Sequence, residues 1–350
     1  MAEADLGRAL LGRLRTHLED PGLEFSEPPA SVSGGFDTRI FAFRLKRAAP
    51  PWDGPLILRL LGPRDSPARA LREATTQNAV ADLGFPAPRS LLATADPAPL
   101  GGAFLIMERR SGIALSEGGV LSIQRILLET QLRLHALDAD ALLRALERDD
   151  LASTASGGPP LERDLMTIGG HLTRLERRVA GGLDGLASPM AWLLEHRPPE
   201  PARRVICHGD FHPRNILVSG SVVTAVIDWP NTIVADAAYD VASTKTILGS
   251  TPVEMLSVPT AIGWLIRGLR PIMVGRYLAG YRRRRPLDSQ SFGYYEALSC
   301  MRSLVRTVEN RSRKGAGPLN PLDASSFGEA VARRFARITG VTPLLPKVRT

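Results

Sequence analysis

The most constraining feature of this sequence is a change in hydrophobic spacing along the chain. Two alternating apolar segments, Arg39–Leu45 and Leu56–Leu60, flank the turn-forming run Pro50–Pro55. Alternation with period two predicts strands, and the break between them predicts a hairpin. From about Leu121 onward, apolar residues instead recur every three or four positions, which predicts helices. The sequence therefore predicts a β-rich part followed by a mostly helical part.

One helix and one further strand complete the predicted β-rich part. Ser66–Leu83 has helical spacing, begins with Ser-Pro and is followed by Gly84 and Pro86, which end helices. Phe104–Met107 is a short apolar strand that runs into polar residues. We therefore predict an α+β fold with two domains, residues 1–110 and residues 111–350.

The helical part contains two predicted loops that are bounded by short strands. Its predicted helices cover residues 121–137, 161–179 and 190–196, with a loop at 152–160. The predicted strands are Arg204–Cys207, Ile216–Val218 and Val222–Ile227, and helices follow to the end. Loops at strand ends inside a helical region are good positions for functional side chains.

Composition limits the possible classes of protein. The 350 residues carry 44 basic and 36 acidic side chains, a formal net charge of +8. Basic residues are mostly arginines scattered along the chain and aromatic residues are 5%. Nucleic-acid binders more often gather charge on one face or interleave it with aromatics, so we expect no nucleic-acid partner. Only Cys207 and Cys300 are present, too few for a disulfide framework.

The sequence offers no segment that reads as a signal peptide or a membrane span. The N-terminal apolar positions are interrupted by acids and arginines, and the most apolar later stretch, residues 262–281, contains arginines and a proline. We expect a soluble cytoplasmic protein with no membrane partner.

The strongest chemical signal is the segment His208-Gly-Asp-Phe-His-Pro-Arg-Asn215, followed by Asp228. It supplies two carboxylates and an amide on loops at strand ends, and such hard oxygen donors suit magnesium. Phosphoryl transfer needs a proton acceptor near the nucleophile and separate metal ligands on the phosphates. An asparagine five residues after an aspartate, as in Asp210 and Asn215, reproduces the spacing of kinase catalytic loops.

This segment, with Ile227-Asp-Trp229 and Asp236-Ala-Ala-Tyr-Asp240, resembles the aminoglycoside phosphotransferase and choline kinase group. The resemblance implies a bilobal protein-kinase-like fold, with a small β-rich N-lobe and a larger helical C-lobe. It implies that Asp210 accepts the proton of the substrate hydroxyl, and that Asn215 and Asp228 hold Mg²⁺. Asp236 and Asp240 would support the catalytic loop.

The resemblance also assigns nucleotide-binding residues to the N-lobe. Ser33, Gly34 and Gly35 match the loop that covers the phosphates, where glycines let backbone amides approach. Arg59 stands where kinases place a phosphate-binding lysine, with Glu73 as its expected ion-pair partner. This is a departure, because a guanidinium is planar and bulkier than an ammonium group.

The segment Met107, Glu108, Arg109 and Arg110 matches the hinge, where main-chain groups would bind an adenine ring. Side chains at such positions do not distinguish ATP from GTP, and ATP is the default expectation.

The expected function is an ATP-dependent transfer of the γ-phosphoryl group to a hydroxyl of a small molecule. Residues 245–313 carry many arginines and few acids, so a neutral or anionic acceptor is at least as well supported as a polycationic aminoglycoside. Two alternatives remain: a kinase-fold protein that binds nucleotide without turnover, for which Arg59 is the best support, and a basic nucleic-acid-binding protein.

Overall fold

The computed structural model describes residues 3–32, 38–62, 65–118, 120–252, 260–312 and 326–346. By internal contacts the chain divides into two compact units, each built from several stretches of sequence. The first unit comprises Met1–Gly118, Asp138–Arg163 and Arg214–Pro230, and the second comprises Gly119–Leu137, Asp164–Pro213 and Asn231–Thr350. The predicted boundary between residues 110 and 111 stays a prediction.

The first unit is built on a five-stranded antiparallel sheet with strand order β1-β2-β3-β5-β4. Its strands are β1 (Phe25–Ser31), β2 (Thr38–Leu45), β3 (Pro55–Leu61), β4 (Ser90–Thr94) and β5 (Phe104–Glu108). The predicted hairpin is confirmed as β2 and β3, and the predicted strand at 104–107 is confirmed as β5. The alternating side chains of β2 explain the hairpin, since Phe41, Phe43 and Leu45 point into the core.

A helix, α1 (Glu3–His17), covers the core face of this sheet. Leu6, Leu10 and Leu14 recur every four residues, so one stripe of the helix faces the sheet, and all three are fully buried. At about 25 cal/mol per Å² of apolar surface, burying each leucine contributes roughly 1.5–3 kcal/mol. This packing keeps β2 and β3 in place beneath the helix.

The predicted helix after the hairpin is confirmed as α2 (Ala68–Asp82), and it packs against a helix that the sequence analysis missed. That helix is α4 (Ala139–Ala155), in the segment 138–163 of the first unit. Its N-terminus is capped by Asp138, whose carboxylate accepts hydrogen bonds from the amides of Asp140 and Ala141. Thr75 Oγ1 of α2 donates to Asp149 Oδ2 of α4 at 2.7 Å.

A three-stranded sheet completes the first unit, with order β6-β8-β9. It contains β6 (Ile113–Ala114), β8 (Ile216–Ser219) and β9 (Val222–Val226). The predicted strand pair around the Ser219-Gly220-Ser221 turn is therefore confirmed. The sheet positions Asn215, which directly precedes β8, and Asp228, which follows β9.

The second unit is mostly helical and has one small antiparallel sheet. The sheet pairs β7 (Val205–Cys207) with β10 (Ile233–Ala235). The helices are α3 (Val120–Leu134), α5 (Ile168–Ala180), α6 (Ala187–Glu195), α7 (Ala237–Ser250), α8 (Thr260–Arg284), α9 (Ser289–Ser312) and α10 (Phe327–Thr339). Across the described ranges, no helix combines the length and apolar content needed to cross a bilayer.

Two predicted boundaries differ most from the structure. The helix expected from residue 161 begins at Ile168, because Glu162 has a left-handed backbone and Thr167 caps the helix by accepting a hydrogen bond from Gly170 N. The loop expected at 152–160 begins later, since α4 continues to Ala155. The apolar spacing thus began before the helix at 168, and α4 continued into residues whose composition had predicted a loop.

Candidate active site

In the first unit, Arg59 joins two carboxylates. It lies on β3, and its Nη1 is 2.6 Å from Glu73 Oε1 on α2, while its Nη2 is 2.8 Å from Asp228 Oδ1. The expected partnership of Arg59 with Glu73 is present, and the contact with Asp228 was not predicted. Burial alone would lower the pKa of the Arg59 guanidinium, but Glu73 and Asp228 outweigh it and hold that pKa above its ordinary value. Arg59 is therefore a permanent cation beside Asp228.

Asp228 follows β9 in an unusual backbone conformation. Its φ is +72°, in the left-handed region that non-glycine residues seldom adopt. The next residue anchors the turn: Trp229 is buried, its Nε1 donates to Val226 O at 2.9 Å, and its ring packs edge-on against Phe85. The side chain of Asp228 is 35% exposed, so a ligand can reach it.

The loops that carry Asn215 and Asp228 are joined by the backbone. Asn215 directly precedes β8, and its carbonyl accepts a hydrogen bond of 2.9 Å from the amide of Ile227, the residue before Asp228. The terminal pair of the ladder, Ile216 with Val226, lies beside this bond. The structure thus brings together the segments that carry the two predicted metal ligands.

Asp210 belongs to the second unit and lies in the loop after β7. Its amide donates to His208 Nδ1 at 3.3 Å, and its Oδ1 lies 3.5 Å from His212 Nε2. Burial alone would raise the pKa of the Asp210 carboxyl, but His212, and then His208 and Arg302, outweigh it and hold that pKa below its ordinary value. The carboxylate is therefore ionised.

Gly209 gives this loop its sharp turn. Its φ is +77°, and an added Cβ would lie only 2.2 Å from the carbonyl oxygen of Asn231. Its amide donates to Asp240 Oδ1 at 2.7 Å, and its carbonyl accepts from Arg302 Nη1 at 2.9 Å. The residue before Asp210 is therefore held on both sides.

A buried polar network stands behind Asp240. Asp240 Oδ2 lies 3.1 Å from His135 Nε2 and accepts from Gln131 Nε2 at 2.9 Å, while His135 Nδ1 lies 2.6 Å from the Tyr281 hydroxyl. Burial alone would raise the pKa of Asp240, but the hydrogen bond to His135 outweighs it, so that pKa lies below its ordinary value. Asp240 thus supports the loop as expected, whereas the Asp236 carboxylate caps α7 by accepting from Ala238 N.

The predicted hinge residues lie at the end of β5. The Met107 side chain is buried, and its sulfur accepts from Gln77 Nε2 at 3.6 Å. The Glu108 carboxylate accepts from the Arg89 amide and from the Arg110 guanidinium. Two predicted hinge amides already have partners, since Glu108 N donates to Arg89 O and Arg109 N donates to Pro55 O. Ser33, Gly34 and Gly35 lie outside the described residues.

A comparison with protein families identifies the family. The profile of the phosphotransferase enzyme family matches residues 30–287, which include Arg59, Glu73, Asp210, Asn215 and Asp228. The chain belongs to the phosphotransferase enzyme family.

Solved structures share the fold of this family member. A thermostable mutant of aminoglycoside phosphotransferase APH(4)-Ia, in a ternary complex with AMP-PNP and hygromycin B, is 16% identical. The match covers 93% of this chain and 97% of that chain, with a TM-score of 0.57. Aminoglycoside-3'-phosphotransferase of type VIII is 21% identical over 85% of this chain and 97% of its own, with a TM-score of 0.55. The predicted protein-kinase-like fold class is confirmed.

Curated relatives match only in part. Acyl-CoA dehydrogenase family member 11 of Pongo abelii is 26% identical over 181 residues, which cover 49% of this chain and 22% of that protein. The protein of the same name from Gallus gallus is 29% identical over 181 residues, 48% of this chain and 22% of its own length. The match therefore spans about a fifth of the relatives' length.

In this phosphotransferase-family chain, sequence reasoning missed Arg302, which contacts the loop that carries Asp210, and Tyr239, which contacts Arg302. Arg302, on α9, gave no local signal, because it lies far along the chain from the loop it contacts. Tyr239 stands inside the recognised Asp236–Asp240 segment, so its position could have drawn attention, but its contact with Arg302 depends on tertiary structure.

Proposed function

We propose that this protein transfers the γ-phosphoryl group of ATP to a hydroxyl group of a small molecule. The single observation that carries the proposal is the contact of a permanent cation, Arg59, with Asp228, the carboxylate expected to hold metal, at 2.8 Å. Such a pair offers a phosphate-binding group and a metal ligand side by side, which phosphoryl transfer requires.

The residues present suit magnesium. The Asp228 carboxylate contacts Arg59 through Oδ1, and because 35% of its side chain is exposed it can also coordinate a cation. Asn215 would supply an amide oxygen from the adjoining loop. One amide and one carboxylate leave the other coordination positions to phosphates and waters, as magnesium prefers. When bound, the metal would neutralise charge on the phosphates.

Arg59 would bind phosphate oxygens through its planar fork. Its Nη groups contact the two carboxylates, and its buried Nε has no hydrogen-bond partner among the described residues. Guanidinium groups pair well with phosphate oxygens in a bidentate way. Glu73, only 1% exposed, would keep the guanidinium oriented while phosphate binds.

Asp210 would act as the general base. Its ionised carboxylate lies in the loop after β7 and would accept the proton of the attacking hydroxyl. His208, which accepts from the Asp210 amide through Nδ1, would hold the loop.

The end of β5 would receive the adenine ring. Since the amides of Glu108 and Arg109 donate within the protein, the Arg110 amide is the N–H of this segment that we assign to the base. Carbonyl groups of the same segment would accept from its amino group. ATP is therefore the proposed donor, and GTP is its direct competitor in any test.

The acceptor is proposed to be a neutral or anionic hydroxyl compound. Helix α8 of the second unit carries six arginines and no aspartate or glutamate. A surface of this kind disfavours a polycationic aminoglycoside and attracts anions. A fold relative forms a ternary complex with AMP-PNP and hygromycin B, and we propose that this chain also binds a small molecule beside its nucleotide.

The deciding experiment is an acceptor screen that follows ADP release with ATP and with GTP in the presence of Mg²⁺. Sugars, sugar acids, hydroxy acids, amino alcohols, macrolides and aminoglycosides would be compared. Asp210→Asn is expected to lower turnover by about 10²- to 10⁴-fold while nucleotide binding is retained. Asp184→Asn, an exposed carboxylate elsewhere in the second unit, is the matched control and should leave turnover unchanged.

Two results would contradict the proposal. Full turnover in Asp210→Asn would remove the assigned base. Nucleotide binding without acceptor-dependent ADP release, across the whole screen, would favour the alternative of a kinase-fold binding protein.

A further inference from the structure

Arg302 occupies an unusual position relative to the loop that carries Asp210. It projects from α9, and its Nη1 donates two hydrogen bonds, to Gly209 O at 2.9 Å and to the Tyr239 hydroxyl at 2.6 Å. Its guanidinium carbon also lies 5.5 Å from the centre of the Tyr239 ring. Arg302 is thus oriented by Tyr239 and in turn holds a backbone carbonyl of the loop.

The turn of α7 that carries Tyr239 also restrains the amide side of Gly209. Tyr239 and Asp240 are consecutive residues of α7, and Asp240 Oδ1 accepts the Gly209 amide at 2.7 Å. One peptide group beside the Gly209 Cα is therefore held by Asp240, and the next, which leads into Asp210, is held by Arg302. Because the left-handed turn at Gly209 is confined by Asn231 as well, the Asp210 backbone has little freedom.

We propose that Arg302 is a positioning residue for the catalytic loop. It fixes the peptide between Gly209 and Asp210, and thereby the direction of the Asp210 carboxylate. This inference deepens the proposed function and rests on it where turnover is concerned. Displacing a catalytic group by about 1 Å can cost on the order of 100-fold in rate, so a single distal hydrogen bond is sufficient to matter.

The chemistry requires arginine rather than any cation. A guanidinium nitrogen presents two hydrogens in one plane and stacks on an aromatic ring, whereas an ammonium group is a compact point charge on a flexible stem. Lysine at position 302 would keep the charge but lose the fixed geometry. We therefore expect charge alone to restore little of the function.

The test compares Arg302→Met, Arg302→Lys and Tyr239→Phe with a matched control, Arg178→Met. Arg178 lies on α5 and pairs with Glu309 of α9, the helix that also carries Arg302. The hydrogen bonds described for Arg178 go to Glu309 and not to the Asp210 loop. We expect Arg302→Met to lower kcat by about 10- to 100-fold with little change in the KM for ATP. In Arg302→Lys kcat should fall nearly as much, and in Tyr239→Phe it should fall less. In Arg178→Met kcat should be almost unchanged.

Two further measurements separate positioning from general damage. Added guanidinium ion should partly restore kcat in Arg302→Ala, and methylammonium should not. Hydrogen exchange of the Gly209 and Asp210 amides should be faster in Arg302→Met than in wild type or Arg178→Met, while the amides of β8 and β9 are unchanged.

The outcomes are distinguishable. If wild type shows no acceptor-dependent ADP release, the proposed function fails, and the exchange comparison still decides whether Arg302 holds the loop. If wild type turns over and Arg302→Met matches Arg178→Met in both kcat and exchange, the positioning role is overturned.

Discussion

At the scale of single residues, the contact of Arg59 with two carboxylates is the most consequential departure from the expected pattern. A kinase lysine ends in one nitrogen, whereas Arg59 reaches Glu73 and Asp228 with separate nitrogens. Glu73 is almost fully buried, so its charge depends on Arg59 for compensation. The arginine is therefore structural as well as a proposed phosphate ligand.

This dual role makes a prediction about stability. Arg59→Met would leave the Glu73 carboxylate buried without its cation, and we expect a loss of about 3–5 kcal/mol in the free energy of unfolding. The double variant Arg59→Met with Glu73→Gln should recover part of that loss, because the uncompensated charge is gone. Urea unfolding would measure both. Equal losses in the single and double variants would contradict this explanation.

The candidate site was predictable from sequence where its residues are close along the chain. Asp210, Asn215 and Asp228 share a short segment with recognisable spacing, so their types and loops could be inferred. Arg302 could not be, because an arginine on a helix far along the chain shows no local feature that distinguishes it from many others. Its relation to Gly209 exists only in the folded structure.

At the scale of secondary-structure elements, the loop between β7 and β8 depends on one glycine. Gly209→Ala would force a Cβ to within 2.2 Å of Asn231 O, whereas Gly220→Ala, in the turn between β8 and β9, meets no atom within 4 Å. Both positions have positive φ, so alanine causes similar backbone strain at each of them. The two glycines form a matched pair.

We expect Gly209→Ala to be less stable than Gly220→Ala by about 1–3 kcal/mol, the usual cost of overpacking. Thermal and urea unfolding of both variants would measure the difference. Gly220→Ala should also keep its turnover, while Gly209→Ala should lose it. Similar stability in the two variants would show that Asn231 can move at little cost.

Elements were predicted best where one face is apolar and the spacing is regular. Strands β2, β3 and β5 line the core of the first unit and show this pattern in sequence. Helix α4 was missed because its buried side chains number only three, Ala139, Leu142 and Leu146. Its attachment to α2 includes the polar contact of Thr75 with Asp149, which apolar periodicity does not reveal.

At the scale of the whole molecule, ligand binding should be visible as a change in stability. A ligand that binds only the folded state stabilises it by about 2.7 kcal/mol at a concentration of 100 times its Kd. We expect ATP to raise the Tm of the wild type more with Mg²⁺ than with EDTA. In Asp228→Ala this magnesium-dependent increment should disappear.

Asp96→Asn provides the control, because Asp96 is an exposed loop carboxylate in the first unit. Its variant should retain the full increment in differential scanning fluorimetry. An undiminished increment in Asp228→Ala would mean that other groups hold the metal.

The ion pair at Arg59 also affects how the protein would acquire its metal. An unpaired carboxylate attracts cations from solution, but the Asp228 carboxylate is already paired with the Arg59 guanidinium. Binding of Mg²⁺ to Asp228 would then replace the contact with the Arg59 guanidinium. We therefore expect free Mg²⁺ to bind weakly when no nucleotide is present. Phosphate oxygens that pair with the Arg59 guanidinium would weaken its contact with Asp228 and leave that carboxylate for Mg²⁺, so we expect nucleotide and metal to bind together.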